Sequence, residues 1–548
     1  MGEKLHYIYC TLEYYDQENG IRGGGGLGVL AADTRRVAEE MHLPLVTVTP
    51  FYPTTMKQVM KNGKLLDEKT HVNYEDYGYH KLDYVFVKCN GGLCKLDVIQ
   101  KICGTTAILA VTEPNFGALY QDTSGSDHRL YQEVALGFGG YQALKIAGAG
   151  IGVMQLNEVV TTFMALKWLD DLVRGGMDFY QAMTVVRSRT LYTNHTLVQA
   201  AEAEFTLGQF EKYVLSNLES RRVKEWVVKM FDDGRLKLSA LVLELAGKRN
   251  CVSKLHAKVA DYHDVAGEKV KFRAVTNGID LKKWVMPEIL AYYQKIGLVE
   301  ENLTVTKENL AVIDLVKSED IRALKAHGRE VMNEILKDYP DQNGKILRFD
   351  EGDFVFDFKR RLVDYKRPEM PFSDIKRLRE VLEPRGAHYI IAGRVHTGDV
   401  KMMEKLEGIL EAVRGDEYLS EHVHYLADYG ERLAYGLSVG SNAALNLPIV
   451  GLEACGTSWM KDVANMNVLI STLDGGVADA ESKFCFPVTG DTFEYQLDRL
   501  YNWMRMAIQT WDNDFDLEFN IAHQLYGYLR IISGARMMQE YLDLWWAA

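Results

Sequence analysis

Asp353–Arg367 reads DFVFDFKRRLVDYKR. Phe354–Phe358 sets aromatic and β-branched residues around one Asp, the composition of a buried strand. Lys359, Arg360, Arg361, Lys366 and Arg367 crowd the carboxyl end of that strand, and ligands of parallel sheets bind at carboxyl ends. Working outward, Ser373–Leu382 reads as a helix, Tyr389–Ala392 and Val423–Leu426 as strands, and Tyr429–Val439 as a further helix. Upstream, Ile313–Leu336 places apolar residues at helical spacing until Pro340–Gly344 breaks the pattern. The first half repeats the alternation: strands at His6–Cys10, Leu45–Thr49, Ala107–Val111, Gly152–Leu156 and Thr190–Thr193, with helix-like Leu27–Met41 between the first two. Strand–helix alternation of this kind predicts an α/β fold of parallel sheets covered by helices. Two doubly wound halves with a cleft between them is the economical arrangement. The expected domains are 1–285, 286–492, and an aromatic-rich helical tail, 493–548, packing back across the domain junction.

Composition narrows the function. The chain has 548 residues with 63 Lys plus Arg against 76 Asp plus Glu, a net charge of −13. At 47 % hydrophobic and 25 % charged residues it can bury large cores, which excludes a disordered chain. Net negative charge disfavours broad nucleic-acid binding, so an anionic substrate needs a local basic site. The N-terminal stretch lacks the features of an export signal, and glycine-rich Ala135–Met154, with Lys145 at its middle, suits a helix and turn better than a membrane span. Seven scattered cysteines (10, 89, 94, 103, 251, 455, 485) argue for a reducing cytoplasm. Cys89, Cys94 and Cys103 are expected to be buried thiols, and no metal site is expected.

Three motifs can carry chemistry. Gly23, Gly25 and Gly28 fit the GxGxxG spacing, but Thr11–Gly20 separates them from the strand and no acidic residue follows at the ribose position. A loop without Cβ atoms at a helix N-terminus remains, suited to close approach of a ligand. The cation run after Phe358 is either a solvated surface or an anion site, and the interleaved Leu362, Val363 and Tyr365 favour the second. In Glu453–Lys461, EACGTSWMK, a Gly-Thr-Ser turn enters a helix and offers backbone N–H groups and hydroxyls to a phosphate. Lys461 lies about a turn further on and could react with a carbonyl cofactor, although a surface lysine is the simpler reading of that residue alone.

Gly451–Gly475, GLEACGTSWMKDVANMNVLISTLDG, resembles the cofactor-lysine segment of the α-glucan phosphorylases, the family of glycogen, starch and maltodextrin phosphorylases. Six further blocks resemble that family in the same order: Gly25–Ala32, Met154–Glu158, Tyr192–Thr196 (YTNHT), Val275–Ile279 (VTNGI), Lys359–Arg367 (KRxxxYKR), and Asp428-Tyr429 with Arg432–Ala434. The resemblance implies the GT-B glycosyltransferase fold and phosphorolysis of an α-1,4-glucan to α-D-glucose 1-phosphate with retention, using pyridoxal 5′-phosphate, whose phosphate serves as proton relay. It implies Lys461 as the cofactor lysine, with Arg360, Thr457, Ser458, Gly26 and Tyr429 around the cofactor. Arg361 and Lys366 would bind the substrate phosphate. Gly25, Leu27, Asn157, Glu158, His195, Asn277, Tyr365, Glu453, Cys455 and Gly456 would hold the sugar, with His195 also among the catalytic groups. Family members are commonly dimers, so a homodimer is expected.

Two departures stand out. Val160 occupies a position where the family usually has His, beside the acceptor subsites, and Trp459 replaces a small residue, which is expected to add bulk beside the cofactor. The chain is shorter than animal and plant members, which implies a minimal, unregulated form. Two alternatives stay open from the residues: a nucleotide-sugar glycosyltransferase of the same fold, such as a glycogen synthase, which needs no cofactor lysine, and a catalytically inactive glucan-binding paralogue.

Overall fold

The computed structural model describes residues 4–16, 25–61, 63–119, 122, 125–197, 203–263, 267–396 and 398–546. Gly23 of the GxGxxG reading lies outside them. The chain forms two compact units, one made of residues 1–56, 69–275 and 541–548, the other of 57–68 and 276–540.

The strands run β1 (Lys4–Cys10), β2 (Leu45–Pro50), β3 (Thr54–Lys61), β4 (Lys64–His71), β5 (His80–Cys89), β6 (Gly92–Cys103), β7 (Thr106–Thr112), β8 (Ala149–Asn157), β9 (Thr190–Asn194), β10 (Glu204–Thr206), β11 (Arg235–Lys237), β12 (Lys248–Cys251) and β13 (Arg273–Ala274). In the first unit nine of them form a sheet in the order β13-β12-β9-β8-β1-β2-β7-β6-β5. From β13 to β7 the neighbours are parallel, and β6 and β5 finish the sheet antiparallel. β2 and β7 are buried at every residue, as strands covered by helices on both faces must be. Helix Gly26–Glu40 makes the crossover from β1 to β2. The chain later returns to β8 on the other side of β1, so the strand order reverses at the β1/β8 edge. Ala135–Met154, far from a membrane span, is helix followed by β8, and Ala135–Tyr141 is buried throughout. Among the described residues no helix is long and apolar enough to cross a membrane.

The second unit continues with β14 (Val355–Lys359), β15 (His388–Ala392), β16 (Val423–Leu426), β17 (Ala443–Asn446), β18 (Val468–Ser471) and β19 (Phe486–Pro487). These form one all-parallel sheet in the order β16-β15-β14-β17-β18-β19. The order reverses between β14 and β17. Helix Ser318–Leu336 covers this unit with Ile321, Met332, Ile335 and Leu336 at helical spacing, and Glu319 and Asp320 in its first turn favour the N-terminal end of its dipole.

The chain passes from the first unit to the second at Val275/Thr276. Val275 N–H still donates to Cys251 O at 2.9 Å in the first unit, whereas Thr276 Oγ1 donates to Asp479 at 2.7 Å and Ile279 N–H to Ile532 O at 2.8 Å in the second. The tail divides as well: helices Phe493–Asp512 and Asp514–Ile532 belong to the second unit, while residues 541–548 belong to the first, where Trp545 Nε1 donates to Tyr7 Oη at 3.2 Å. Finally, Cys89 and Cys94 are joined as a disulfide rather than being separate buried thiols. The cause is local. Asn90 and Gly91 both have positive φ (48° and 77°), the two-residue turn that joins twisted antiparallel strands, and it sets the two Cα atoms 6.4 Å apart across β5 and β6.

Candidate active site

The second unit gathers charge where its strand order reverses. Alternate residues of a strand face opposite ways, so Lys359 at the end of β14 and Arg360 after it serve different neighbours. Arg360 Nη1 donates to Asn446 Oδ1 at 2.6 Å, bridging the ends of β14 and β17, and Nη2 donates to Glu453 Oε2 at 2.8 Å. Lys366 Nζ stands 3.8 Å from Glu453 Oε1, and half-buried Arg361 lies near enough to act on Lys366, Glu453 and Tyr365 electrostatically. Three cations therefore converge on one carboxylate. Burial would raise the Glu453 carboxyl, but Arg360 and Lys366 more than offset it and hold it below the ordinary range. Lys366, with a side chain 12 % exposed, is pushed down to about 7 by burial, with Arg360 and Arg361 adding to the shift and Glu453 opposing it. Buried Arg360 Nε has no hydrogen-bond partner among the described residues. This cluster is short of negative charge, and an anion would supply it.

Only three of the five cations in the run take part. Lys359 is bound by Asp357 and Asp462. Arg367, at φ 50°, donates through Nε to Leu447 O at 2.8 Å and through Nη1 to Gln496 Oε1 at 2.6 Å.

The turn before Lys461 packs against the same cluster. A Cβ on Gly456 would lie 2.6 Å from Arg360 Nη2 and 3.0 Å from Glu453 Oε1, so only glycine fits there without displacing the guanidinium. Glu453 N–H donates to Asp474 Oδ2 at 3.0 Å, fixing the turn to the next loop. Thr457 and Ser458 open helix Ser458–Ala464, and no side chain caps its N-terminus. Lys461 is 4 % exposed and its Nζ lies 3.3 Å from the centre of the fully buried Trp284 ring. It is not a surface lysine. Asn465 joins the two, donating to Trp284 O and Lys461 O, each at 2.8 Å. Asn277 Nδ2 donates to Cys455 O at 3.1 Å while its buried Oδ1 lacks a partner among the described residues. Burial pushes the Cys455 thiol up, which suits an inert group rather than a nucleophile. Half-buried Tyr365 is also raised by burial, and its carbonyl accepts from Ile449 N–H at 2.8 Å. Tyr429 Oη donates to Lys359 O at 3.1 Å.

Trp459 does not crowd Lys461. Two residues apart on a helix is about 200° of rotation, and Trp459 packs edge-on against Tyr528 at 5.2 Å between ring centres.

In the first unit the candidate residues sit at the carboxyl ends of β1, β8 and β9, again beside a strand-order reversal. Asn157 Nδ2 donates to Cys10 O at 2.9 Å, which leaves its Oδ1 to accept from His195 Nε2 at 3.0 Å. That fixes the imidazole as the Nε2–H tautomer with Nδ1 free to accept. The ring is neutral, since burial and then His256 push it down to about 3. Glu158 Oε1 accepts from His195 N–H at 2.9 Å and Thr196 Oγ1 at 2.7 Å. Its backbone, at φ 68° and ψ 160°, is strained for a residue with a side chain, and the fixed Asn157–His195 pair sits on that bend. Gly25 caps helix Gly26–Glu40 in an extended conformation, and a Cβ there would lie 2.6 Å from Glu13 Oε2. Gly26 is open, and Leu27 is half-buried. Val160 packs partly buried against the core of this unit.

Sequence reasoning assigned no role to Asp357, Asn446, Asp462, Asp474 and Trp284, which are partners of the candidate groups; Asp357, Asp462 and Asp474 lie inside the quoted stretches, whereas Asn446 and Trp284 lie outside them.

The family profile of the carbohydrate phosphorylases matches residues 152–484, well over half of the chain. The chain belongs to the carbohydrate phosphorylase family. The matched span holds the Asn157–His195 pair, the Glu453 cluster and Lys461, and leaves the Gly25–Leu27 turn outside. A maltodextrin phosphorylase of Thermococcus litoralis is 25 % identical over 508 residues, 85 % of this chain and 60 % of that protein. A glycogen phosphorylase of Aquifex aeolicus is 26 % identical over 525 residues, 86 % of this chain and 74 % of its own length. The brain form of human glycogen phosphorylase is 26 % identical over 372 residues, 59 % of this chain and 43 % of its own. The chain thus spans about 60 % of the Thermococcus phosphorylase it matches.

Proposed function

We propose that the chain is an α-1,4-glucan phosphorylase that cleaves the terminal glucosyl unit of a glycogen- or maltodextrin-like polymer with inorganic phosphate. The C1–O4 bond breaks, a C1–O bond to phosphate forms with retention, and the released O4 takes a proton, giving α-D-glucose 1-phosphate and a glucan one unit shorter. One observation carries the reading: Arg360, Arg361 and Lys366 converge on the single carboxylate of Glu453, at the carboxyl ends of β14 and β17, beside the turn that leads to a buried lysine.

Arg361 and Lys366 hold the substrate phosphate by charge-assisted bonds. Asn277, Tyr365, Glu453, Cys455 and Gly456 of the second unit take the glucosyl hydroxyls. Asn157, Glu158 and His195 of the first do the same, with the free His195 Nδ1 as an acceptor, and Gly25 and Leu27 offer backbone N–H groups. The residues around Lys461 fit pyridoxal 5′-phosphate: a buried amine against an aromatic face, an uncapped helix start with two hydroxyls, and Arg360 with an unused Nε. Lys461 would hold that group, with Arg360, Thr457 and Ser458 at its phosphate and Tyr429 and Gly26 beside it. When bound, its phosphate supplies a proton-transfer site next to the substrate phosphate. The two units would be the halves of a GT-B fold, acting in the cytoplasm as a homodimer.

Borohydride reduction of the purified protein followed by peptide mapping tests the cofactor assignment, with a pyridoxyl adduct expected on Lys461. Glucose 1-phosphate release from maltodextrin and phosphate tests the reaction. A protein replete with cofactor on another lysine, or one that releases no glucose 1-phosphate, overturns the reading.

A further inference from the structure

Behind the anion cluster, on the other face of β14, lies a second charged group that the reaction does not use. Lys359 Nζ is bound to Asp357 at 2.9 Å and, more closely, to Asp462. All three side chains are at most 3 % exposed. Asp462 Oδ1 also accepts from Asn467 Nδ2 at 2.8 Å, and Asn467 Oδ1 accepts from the buried Lys325 Nζ at 2.5 Å. Lys325 in turn donates to Val439 O at 2.7 Å and Asn465 O at 3.2 Å. The chain of bonds therefore starts on the strand end that carries Arg360 and Arg361. It ends on Asn465, which binds the carbonyls of Trp284 and Lys461.

Burying four ionisable side chains is costly, and neutral groups of the same shape would serve packing as well or better. Such a network is retained where it fixes one arrangement among several. We propose that Lys359 and Asp462 are positioning residues: they clamp the end of β14 to helix Ser458–Ala464, so that the phosphate-binding Arg361 and Lys366 and the amine of Lys461 keep one register. Sequence adjacency makes the clamp direct, since Lys359 precedes Arg360 and Asp462 follows Lys461. The electrostatics agree. Burial would lower the Lys359 ammonium, yet the two carboxylates outweigh it and hold it above the usual lysine range, while burial and Asp462 raise Asp357. The functional consequence rests on the phosphorylase reading, whereas the clamp itself does not.

The test is a neutral triple variant, Asp357→Asn with Lys359→Met and Asp462→Asn, which keeps shape and the acceptor for Asn467. Asp462→Ala alone serves as the disruptive comparison. Melting temperature, peptide-resolved hydrogen exchange of the full chain, and phosphorolysis kinetics are measured on each. The triple variant is expected to melt within a few degrees of the parent. Exchange should quicken about tenfold or more in residues 359–367 and 458–464 and nowhere else. The kcat should fall about 100-fold, as for a misplacement of roughly 1 Å, while the KM for phosphate moves less than about threefold because its cations remain. Restoring Lys359 and Asp462 together should recover both. Unchanged exchange in those two segments of a folded triple variant overturns the clamp, as does a loss of kcat that only follows melting temperature across the two variants. If the parent protein releases no glucose 1-phosphate, the phosphorylase reading falls and the exchange measurement still decides the clamp.

Discussion

Lys366 gives the sharpest prediction, because its protonation and the proposed anion site are the same physical problem. Its ammonium is brought from 10.5 to about 7 by burial first, with Arg360 and Arg361 adding to the shift. That shift sets on the order of 5 kcal/mol against the charged form. The sign follows: below pH 7 the folded protein carries a strained charge at full cost, and that cost falls progressively as pH rises from about 7 toward 10.5. A bound dianion reverses the preference, so anion binding should bring a proton onto Lys366. With half of Lys366 charged at pH 7 and about one part in eleven at pH 8, affinity should drop roughly fivefold from pH 7 to 8 and about ninefold from 8 to 9. Sulfate is the right probe, since it does not titrate in this range. Glu453 stays ionised throughout and Tyr365 neutral, so neither confuses the profile. Titration calorimetry of the full chain between pH 6 and 9 reads the effect, with Lys366→Met expected to bind more weakly and with a flat profile. A flat profile in the parent, or the same slope in the variant, would refute the reasoning.

Glu453→Gln removes the carboxylate on which Arg360, Arg361 and Lys366 converge, so stability should fall by about 3 kcal/mol in denaturant titrations, and saturating phosphate should restore part of it. Gly456→Ala places a Cβ 2.6 Å from Arg360 Nη2; moving that guanidinium should break its bond to Glu453 and lower stability by about 1.5–3 kcal/mol, the worth of one charge-assisted bond, in denaturant titrations. His195 is held neutral, with its pKa pushed down to about 3. His195→Gln should therefore lower kcat/KM for maltodextrin about 10- to 150-fold without changing the shape of the pH–rate profile between pH 5 and 8.

Much of the fold is legible in the chain because buried parallel strands are short runs rich in β-branched, aromatic and aliphatic residues. Leu45–Thr49, Thr190–Thr193 and Val423–Leu426 stand out for that reason, and the strand order then follows from two reversals that no local pattern encodes. The hairpin of β5 and β6 is harder to see. Its outer residues alternate only loosely, with Tyr84, Phe86 and Leu93 exposed, yet Asn90-Gly91 between two cysteines was a usable turn signal. The basic run after β14 shows the limit of composition. Five cations side by side read as one anion site, but pleating sends Lys359 to the opposite face, and the left-handed backbone at Arg367 turns that residue toward carbonyls. Asp357 and Asp462 stay hidden for a related reason, since an isolated Asp in an apolar strand or helix does not announce its partner across 103 residues.

The first unit is also discontinuous along the chain. Tyr7, on β1, receives its hydrogen bond from Trp545, and Asn250 and Lys248 on β12 reach Tyr541 and Leu544. A ribosome adding about 5–20 residues per second takes on the order of a minute to travel from residue 7 to residue 545. Once β13 is made, the sheet built from β1 to β13 must persist without its last cover while residues 276–540 of the second unit are still being added. Nascent chains arrested shortly before residue 541 should therefore hold a first unit that is more open to protease than the released protein. Cutting the gene between codons 275 and 276 should yield an amino-terminal fragment that regains full protection only when a peptide carrying Tyr541 and Trp545 is supplied in trans.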